Sequence, residues 1–278
     1  MHTEKSQTQI MGILNVTPDS FSDGGRYCSK EQLEARIEEL LAEGADIIDV
    51  GGESTRPGAD AVGEEEELAR VLPAIAAIRR RNSVPISVDT TKAEVARQAL
   101  AAGADFVNDI SGLEADADMA AVVRDARARV VLMHMQGRPR TMQQAPHYED
   151  VVAEVNAYLA GRIANLEAQG IERKNMIVDP GFGFGKTVEH NLSLLRNLSS
   201  LRQHGCPVLI GHSRKSFLGA ITQVKEPKER DTATAMLSAF CAGQGMDILR
   251  VHNVAATRQA LQVCAALRQA EGGAAMRH

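Results

Sequence analysis

The sequence has no tryptophan, and with six phenylalanines and three tyrosines its aromatic content is only 3%. That scarcity argues against the stacked aromatic platforms that hold single-stranded nucleic acid. A basic surplus is missing too. Against 36 Asp and Glu stand 31 Lys and Arg, a net charge of −5, so no nucleic-acid partner is expected. Cysteine is sparse and scattered: Cys28, Cys206, Cys241 and Cys264 form no C-x-x-C pair and no Cys/His cluster. Neither a zinc site nor a disulfide framework is indicated, and a reduced, cytoplasmic protein is expected. No apolar run approaches the ~20 residues of a membrane span, so no membrane partner is expected. The polar stretch 1–9 lacks the apolar core of a signal peptide. Low-complexity tracts and linkers are also wanting, which predicts a single domain over 1–278, ordered from about 9 to 270.

Apolar residues make up 44% of the chain and charged residues 24%, enough to bury a large core. They fall into two alternating patterns. Short apolar runs predict strands at 10–14, 47–50, 86–89, 106–109, 130–134, 176–179, 208–211 and 248–251. Between them, amphipathic spacing predicts helices at 30–43, 65–80, 93–102, 118–128, 148–169, 188–203, 228–242 and 255–270. Gly44-Ala45-Asp46 and Gly103-Ala104-Asp105 stop helices just before strands begin. The units recur roughly every 34 residues, near the length of a βαβ module. Eight of them predict a (β/α)8 TIM barrel. The rival is a doubly wound open sheet, but no G-x-G-x-x-G follows the first strand.

Barrel chemistry sits at the C-terminal ends of the strands, and here every strand ends in polar or ionisable residues. The first runs into Asn15 and then a loop through Pro18 and Phe21 to Asp23-Gly24-Gly25. The others lead into Gly51-Gly52-Glu53-Ser54-Thr55-Arg56-Pro57-Gly58, Asp89-Thr90-Thr91-Lys92, Asn108-Asp109, His134-Met135-Gln136-Gly137, Asp179-Pro180-Gly181-Phe182-Gly183-Phe184-Gly185-Lys186, Gly211-His212-Ser213-Arg214-Lys215-Ser216, and Arg250-Val251-His252-Asn253. The opposite rim is short and bland.

These motifs, in this order over all eight strands, resemble the dihydropteroate synthase family. The resemblance implies joining p-aminobenzoate to 7,8-dihydropterin-6-ylmethyl diphosphate, with pyrophosphate released, in folate biosynthesis. It places the pterin at Asp89, Asn108, Asp179, Phe184 and Lys215, where a carboxylate can accept two adjacent ring N–H groups. Asp179 read alone could instead close an Asx-turn before Gly181. The diphosphate falls to Asn15, Thr55, Arg250 and His252; Arg250 and His252, two apart on one strand, can point the same way. Asn15 also offers an oxygen to Mg²⁺, the expected cofactor. The p-aminobenzoate pocket draws on Phe21, Thr55, Arg56, Pro57, Arg214, Lys215 and Ser216, with sulfonamides as inhibitors. Asp89, Asp179, Lys215, Arg250 and His252 are the catalytic candidates. Where the family usually carries an acid, this chain has Asn253.

With leaving-group assistance and no evident base, a dissociative, SN1-like path is expected. The alternatives are a methyltetrahydrofolate-dependent corrinoid methyltransferase, which does not need Asn15, Arg250 and His252 as an anion site, and a non-catalytic pterin-binding paralogue. Other features carry no expected role. Residues 181–187 look like a phosphate loop, but the first Gly of G-x-x-x-x-G-K-[ST] falls at Pro180, so Lys186 is not read as a nucleotide ligand. Glu64 to Glu67 is a solvated helix start, and His134 and His212 are left structural. The stretch 233–242 is apolar all round except Thr234 and Ser238, which predicts a subunit contact and a homodimer.

Overall fold

A computed structural model describes residues 8–17, 30–54 and 62–274, with side chains as far as 268. Eight parallel strands form one sheet: β1 (Gln9–Asn15), β2 (Ile47–Gly51), β3 (Ile86–Asp89), β4 (Phe106–Asp109), β5 (Arg129–Met133), β6 (Met176–Asp179), β7 (Leu209–Ile210) and β8 (Ile248–Val251). The order β6-β5-β4-β3-β2-β1-β8-β7 brings first and last strands side by side, and a parallel bridge between Val178 and Val208 closes the ring. The expected (β/α)8 barrel is the fold observed.

Side-chain parity explains the layering, because successive residues of a strand face opposite ways. Ile48, Val50, Ile86, Val88, Val107, Val130, Val178 and Leu249 face outward into the large core beneath the helices. Met11, Ile47, Phe106, Val131, Ile177, Leu209 and Ile248 face inward and form a separate apolar plug inside the barrel. Around the ring lie α1 (Lys30–Ala42), α2 (Glu64–Arg81), α3 (Ala93–Ala101), α4 (Met119–Ala126), α5 (Val151–Ala168), α6 (Val188–Arg196), α7 (Ser216–Thr222), α8 (Asp231–Gly243) and α9 (Val254–Ala274).

Three departures from the sequence expectation have a clear local reason. The first helix after β5 starts at Val151, not 148, because the Asp150 side chain caps it by accepting from the Val152 and Ala153 N–H groups. The segment expected as one helix over 188–203 divides at Asn197 into α6 and a 3-10 stretch, Leu198–His204, in which Leu198 and Leu201 are buried three apart. Pro227 opens a 3-10 turn, so α8 begins at Asp231 rather than 228. The short α7 between β7 and α8 is additional to the eight expected helices.

Candidate active site

Two residues beyond the apolar plug, the same strands turn polar. Asp49 follows Ile47, Asn108 follows Phe106, Asp179 follows Ile177 and Arg250 follows Ile248, and Asp89 joins them from β3. All four carboxylate and amide members are buried, and the guanidinium keeps 19% of its side-chain surface. Arg250 spans two acids, donating from Nε to Asp49 Oδ2 and from Nη2 to Asp89 Oδ2, both at 2.6 Å. Asn108 Nδ2 lies 3.4 Å from Asp49 Oδ2. Burial raises the Asp89 pKa to about 7; Arg250 opposes the rise, while Asp49, Glu67 and Asp109 add to it. Burial likewise raises Asp179 to about 6 against the Gly181 N–H and the cations Lys215, Lys186 and Arg250. A buried carboxyl poised near neutrality is typical of functional sites.

Asp179 does close the Asx-turn: its Oδ1 accepts the Gly181 N–H at 2.7 Å. A carboxylate has lone pairs to spare, and Oδ2 points toward the neighbouring strand end, 3.4 Å from where a side chain on Gly211 would begin. Lys215 lies along Gly183, where a Cβ would crowd its Cδ to 3.1 Å, and sets Nζ 3.9 Å from the Phe184 ring centre. Phe184 packs with Ile110, Met133 and Met142 in a small apolar cluster at the barrel mouth. At β1 the Asn15 amide oxygen and Asp89 Oδ2 both flank Gly51, whose missing side chain keeps the space between them open. His252 is oriented by Ser213, whose hydroxyl meets Nδ1 at 2.9 Å and accepts the His252 N–H at 3.1 Å.

Arg214 departs from its expected place on an anion. Its Nε and Nη2 grip both oxygens of Asp231 at 2.6 and 2.7 Å, and Asn253 Nδ2 donates to the same carboxylate. Burial pushes the Asp231 carboxyl up, but these donors hold it below its ordinary value. Arg214 thus fixes the entry to α7, at whose first residue Ser216 stands. The expected positions Phe21, Thr55, Arg56 and Pro57 lie outside the described residues. His212 and His134 are structural in placement: His212 Nε2 meets Thr234 O and Ser238 Oγ, and His134 Nδ1 meets Lys186 Nζ at 3.0 Å.

Sequence reasoning passed over several residues that the fold brings here. Asp49 hides inside an apolar run, although its parity with Ile47 marks it as inward-facing. Ser213 was one letter in a polar loop. Lys92 holds Glu53, at the end of β2, and the fully buried Glu67 of α2, a long-range pairing no local pattern announces.

A family model described as Pterin binding enzyme matches residues 11–252. The dihydropteroate synthase of Synechocystis sp. is 46% identical over 261 residues, which cover 94% of this chain and 90% of that one. Among solved structures, the Yersinia pestis dihydropteroate synthase in a sulfonamide drug complex matches with a TM-score of 0.90 at 42% identity, covering 96% of both chains. The Xanthomonas albilineans dihydropteroate synthase with 4-aminobenzoic acid matches with a TM-score of 0.87 at 46% identity, covering 95% of this chain and 94% of the other.

Proposed function

The chain belongs to the pterin-binding enzymes, as a dihydropteroate synthase, and from that premise we propose how its own residues divide the reaction. The enzyme is a transferase that condenses 7,8-dihydropterin-6-ylmethyl diphosphate with p-aminobenzoate, giving 7,8-dihydropteroate and pyrophosphate. Neither the corrinoid methyltransferase nor the non-catalytic paralogue is favoured beside these relatives.

The observation that carries the residue assignment is the convergence of Asp89, Asn108, Asp179 and Arg250 at one barrel mouth. Asp179 and Asp89 accept the pterin N–H groups, Asn108 completes the pattern, Lys215 donates to the ring carbonyl, and Phe184 supplies an apolar face. Taking Asp89 releases Arg250 from one of its two acids, and its Nη groups then turn to the diphosphate beside His252 and Asn15. The C–O bond breaks first, its electron pair leaving with the diphosphate, and the aniline nitrogen closes the C–N bond and loses its proton. Buried donors aimed at the departing oxygens act where charge develops.

Among the described residues no three His, Cys, Asp or Glu gather as a metal cage. Asn15 offers one neutral oxygen above the open Gly51, a donor set that fits Mg²⁺ carried in on the diphosphate with most of its waters. When bound, the ion neutralises leaving-group charge. The aminobenzoate is placed at Lys215 and Ser216 with Phe21, Thr55, Arg56 and Pro57, and sulfonamides compete there; Arg214 positions α7 without touching substrate. Pyrophosphate release that purified protein with Mg²⁺ and the pterin diphosphate gives when p-aminobenzoate is added tests the reaction, and no release with both substrates present would overturn it. Scrambling of a label from the bridging oxygen of the diphosphate without p-aminobenzoate tests the order of events. A methylene secondary deuterium effect near unity when chemistry limits the rate would overturn that order.

No helix among the described residues is long and apolar enough to cross a membrane. Free, buried Cys206 and Cys241 support a reducing compartment, the cytoplasm. Met236 and Phe240 on α8 and Val263 and Leu267 on α9 expose large apolar side chains between 45% and 71%. This patch supports the homodimer expected from the apolar α8; Met236→Glu should then halve the mass seen by light scattering.

A further inference from the structure

Lys186 is almost wholly buried, with 3% of its surface exposed. Nothing in the reaction described above uses it. Its ammonium group meets three close acceptors, His134 Nδ1 at 3.0 Å, Gly181 O at 3.0 Å and Phe184 O at 3.1 Å, one for each N–H it can give. Two of these belong to the turn after β6. Gly181, Gly183 and Gly185 all have positive φ there, and an added side chain at Gly181 or Gly185 would strike the backbone of His134 or Gln136. Tyr148 donates to Gly185 O at 2.9 Å and shows its ring to the Lys186 ammonium at 6.0 Å. The turn is therefore wound around a single charged group.

The same turn carries the groups assigned to the pterin. Gly181 N–H holds Asp179 Oδ1, and Phe184 lies beneath the Lys215 ammonium. Lys186 is buried and its three N–H groups are taken up by His134 and the turn itself, so it has none left for a ligand held by Asp179. We propose that Lys186 is a positioning residue for pterin recognition: its ammonium fixes the 181–185 turn and keeps Asp179 charged. The ions that face Asp179 are Lys186 from its own turn, Lys215 from the entry to α7 and Arg250 from β8. Facing Lys186 are Asp179, Lys215 and the neutral His134, and burial lowers the Lys186 pKa to about 7. Below that pH the lysine is charged through the range in which Asp179 ionises. It then favours the carboxylate form.

The inference rests on placing the pterin at Asp179, and the two can fail separately. Lys186→Met removes donors and charge, whereas Lys186→Gln removes the charge but keeps two N–H donors on a shorter side chain. Binding of a diphosphate-free pterin is measured by calorimetry between pH 4.5 and 8, with pyrophosphate binding as control. Lys186→Met should weaken pterin about tenfold at pH 6.5, where the parent lysine is charged, as expected for a disturbed buried hydrogen-bond set. In both variants the acid limb of pterin binding should move about one pH unit upward, with pyrophosphate affinity unchanged. Folded variants that keep the parent's affinity and acid limb would reduce Lys186 to a support of the fold. Because an unpaired turn can prevent folding, the coupling is also read with the lysine intact. Coupling between two groups is reciprocal, so Asp179→Asn should lower the pKa read from the Lys186 ζ nitrogen by NMR, and an unmoved titration would refute the coupling. Pterin bound normally by Asp179→Asn would instead sink the placement of the pterin.

Discussion

The apolar plug and the polar tier above it share strands and are one pleat apart, yet they answer to opposite demands. Ile47, Phe106, Ile177 and Ile248 are buried against one another and owe nothing to a ligand. Asp49, Asn108 and Asp179 are buried and Arg250 half-buried two residues later, with charges held by Arg250 on Asp49 and Asp89 and by the Gly181 N–H on Asp179 until a substrate arrives. Burying ions is costly even when they are paired. The lower tier stabilises the barrel and the upper tier weakens it in return for recognition.

The largest effect should come from breaking the lower tier. Ile177→Ala should cost about 2–5 kcal/mol in unfolding free energy, measured by denaturant titration, while the folded fraction binds pterin with the parent's affinity. A parallel loss of affinity would mean that the tiers are mechanically coupled. Two residues along, Asp179→Asn should do the reverse. It puts an amide before ring N–H groups, and each unmade bond costs about 1–3 kcal/mol, so calorimetry should show pterin binding falling at least about tenfold with no drop in melting temperature. Asn15→Ala is expected to act less, weakening pyrophosphate binding and its Mg²⁺ dependence by about 1 kcal/mol while leaving a diphosphate-free pterin untouched. Equal losses for both ligands would point to general damage at the mouth.

The smallest effect sharpens the contrast through pH. Asp179 and Asp89 have folded pKa values raised to about 6 and about 7 from an ordinary 3.8. Between those limits the native state binds more protons than the unfolded chain, so this pair's contribution to stability is full below about 4 and is lost as pH rises through 6 to 7. Pterin binding needs the carboxylates and runs the other way. His134 and His212, buried neutral with pKa values lowered to about 3 and about 4, lose stability as pH falls below their ordinary 6.5, so the comparison must be differential. The melting-temperature gain of an Asp89→Asn, Asp179→Asn variant over the parent should be largest at pH 7.5 and shrink toward pH 5. A gain independent of pH would show that charge is not its source.

Much of this contrast could be read from the letters. The alternation of apolar runs and amphipathic stretches carries the barrel, and polar residues ending each run mark the mouth where Asp89, Asn108, Asp179 and Arg250 meet. What stayed hidden depends on pairing across the fold. Asp49 looked like part of a strand, and only the inward parity of Ile47 and the reach of Arg250 from β8 give it meaning. Arg214 looked like an anion ligand because Asp231, seventeen residues on, is invisible as a partner until α8 folds back. Lys186 resembled a broken phosphate loop, since a lysine among glycines reads the same whether it faces a ligand or its own backbone.

The ring closes least firmly between β6 and β7. Beside ladders of two to five residue pairs elsewhere, that junction has a single bridge, Val178 with Val208, supported by the Val178 N–H donating to Pro207 O at 2.9 Å. Asp179 stands on one side of this junction and Lys215 on the other. A pterin held by both would act as a clasp across the barrel's seam. Amide hydrogen exchange at Val178 and Leu209 should then slow on pterin binding far more than exchange along β1 and β2, making the seam a built-in reporter of occupancy.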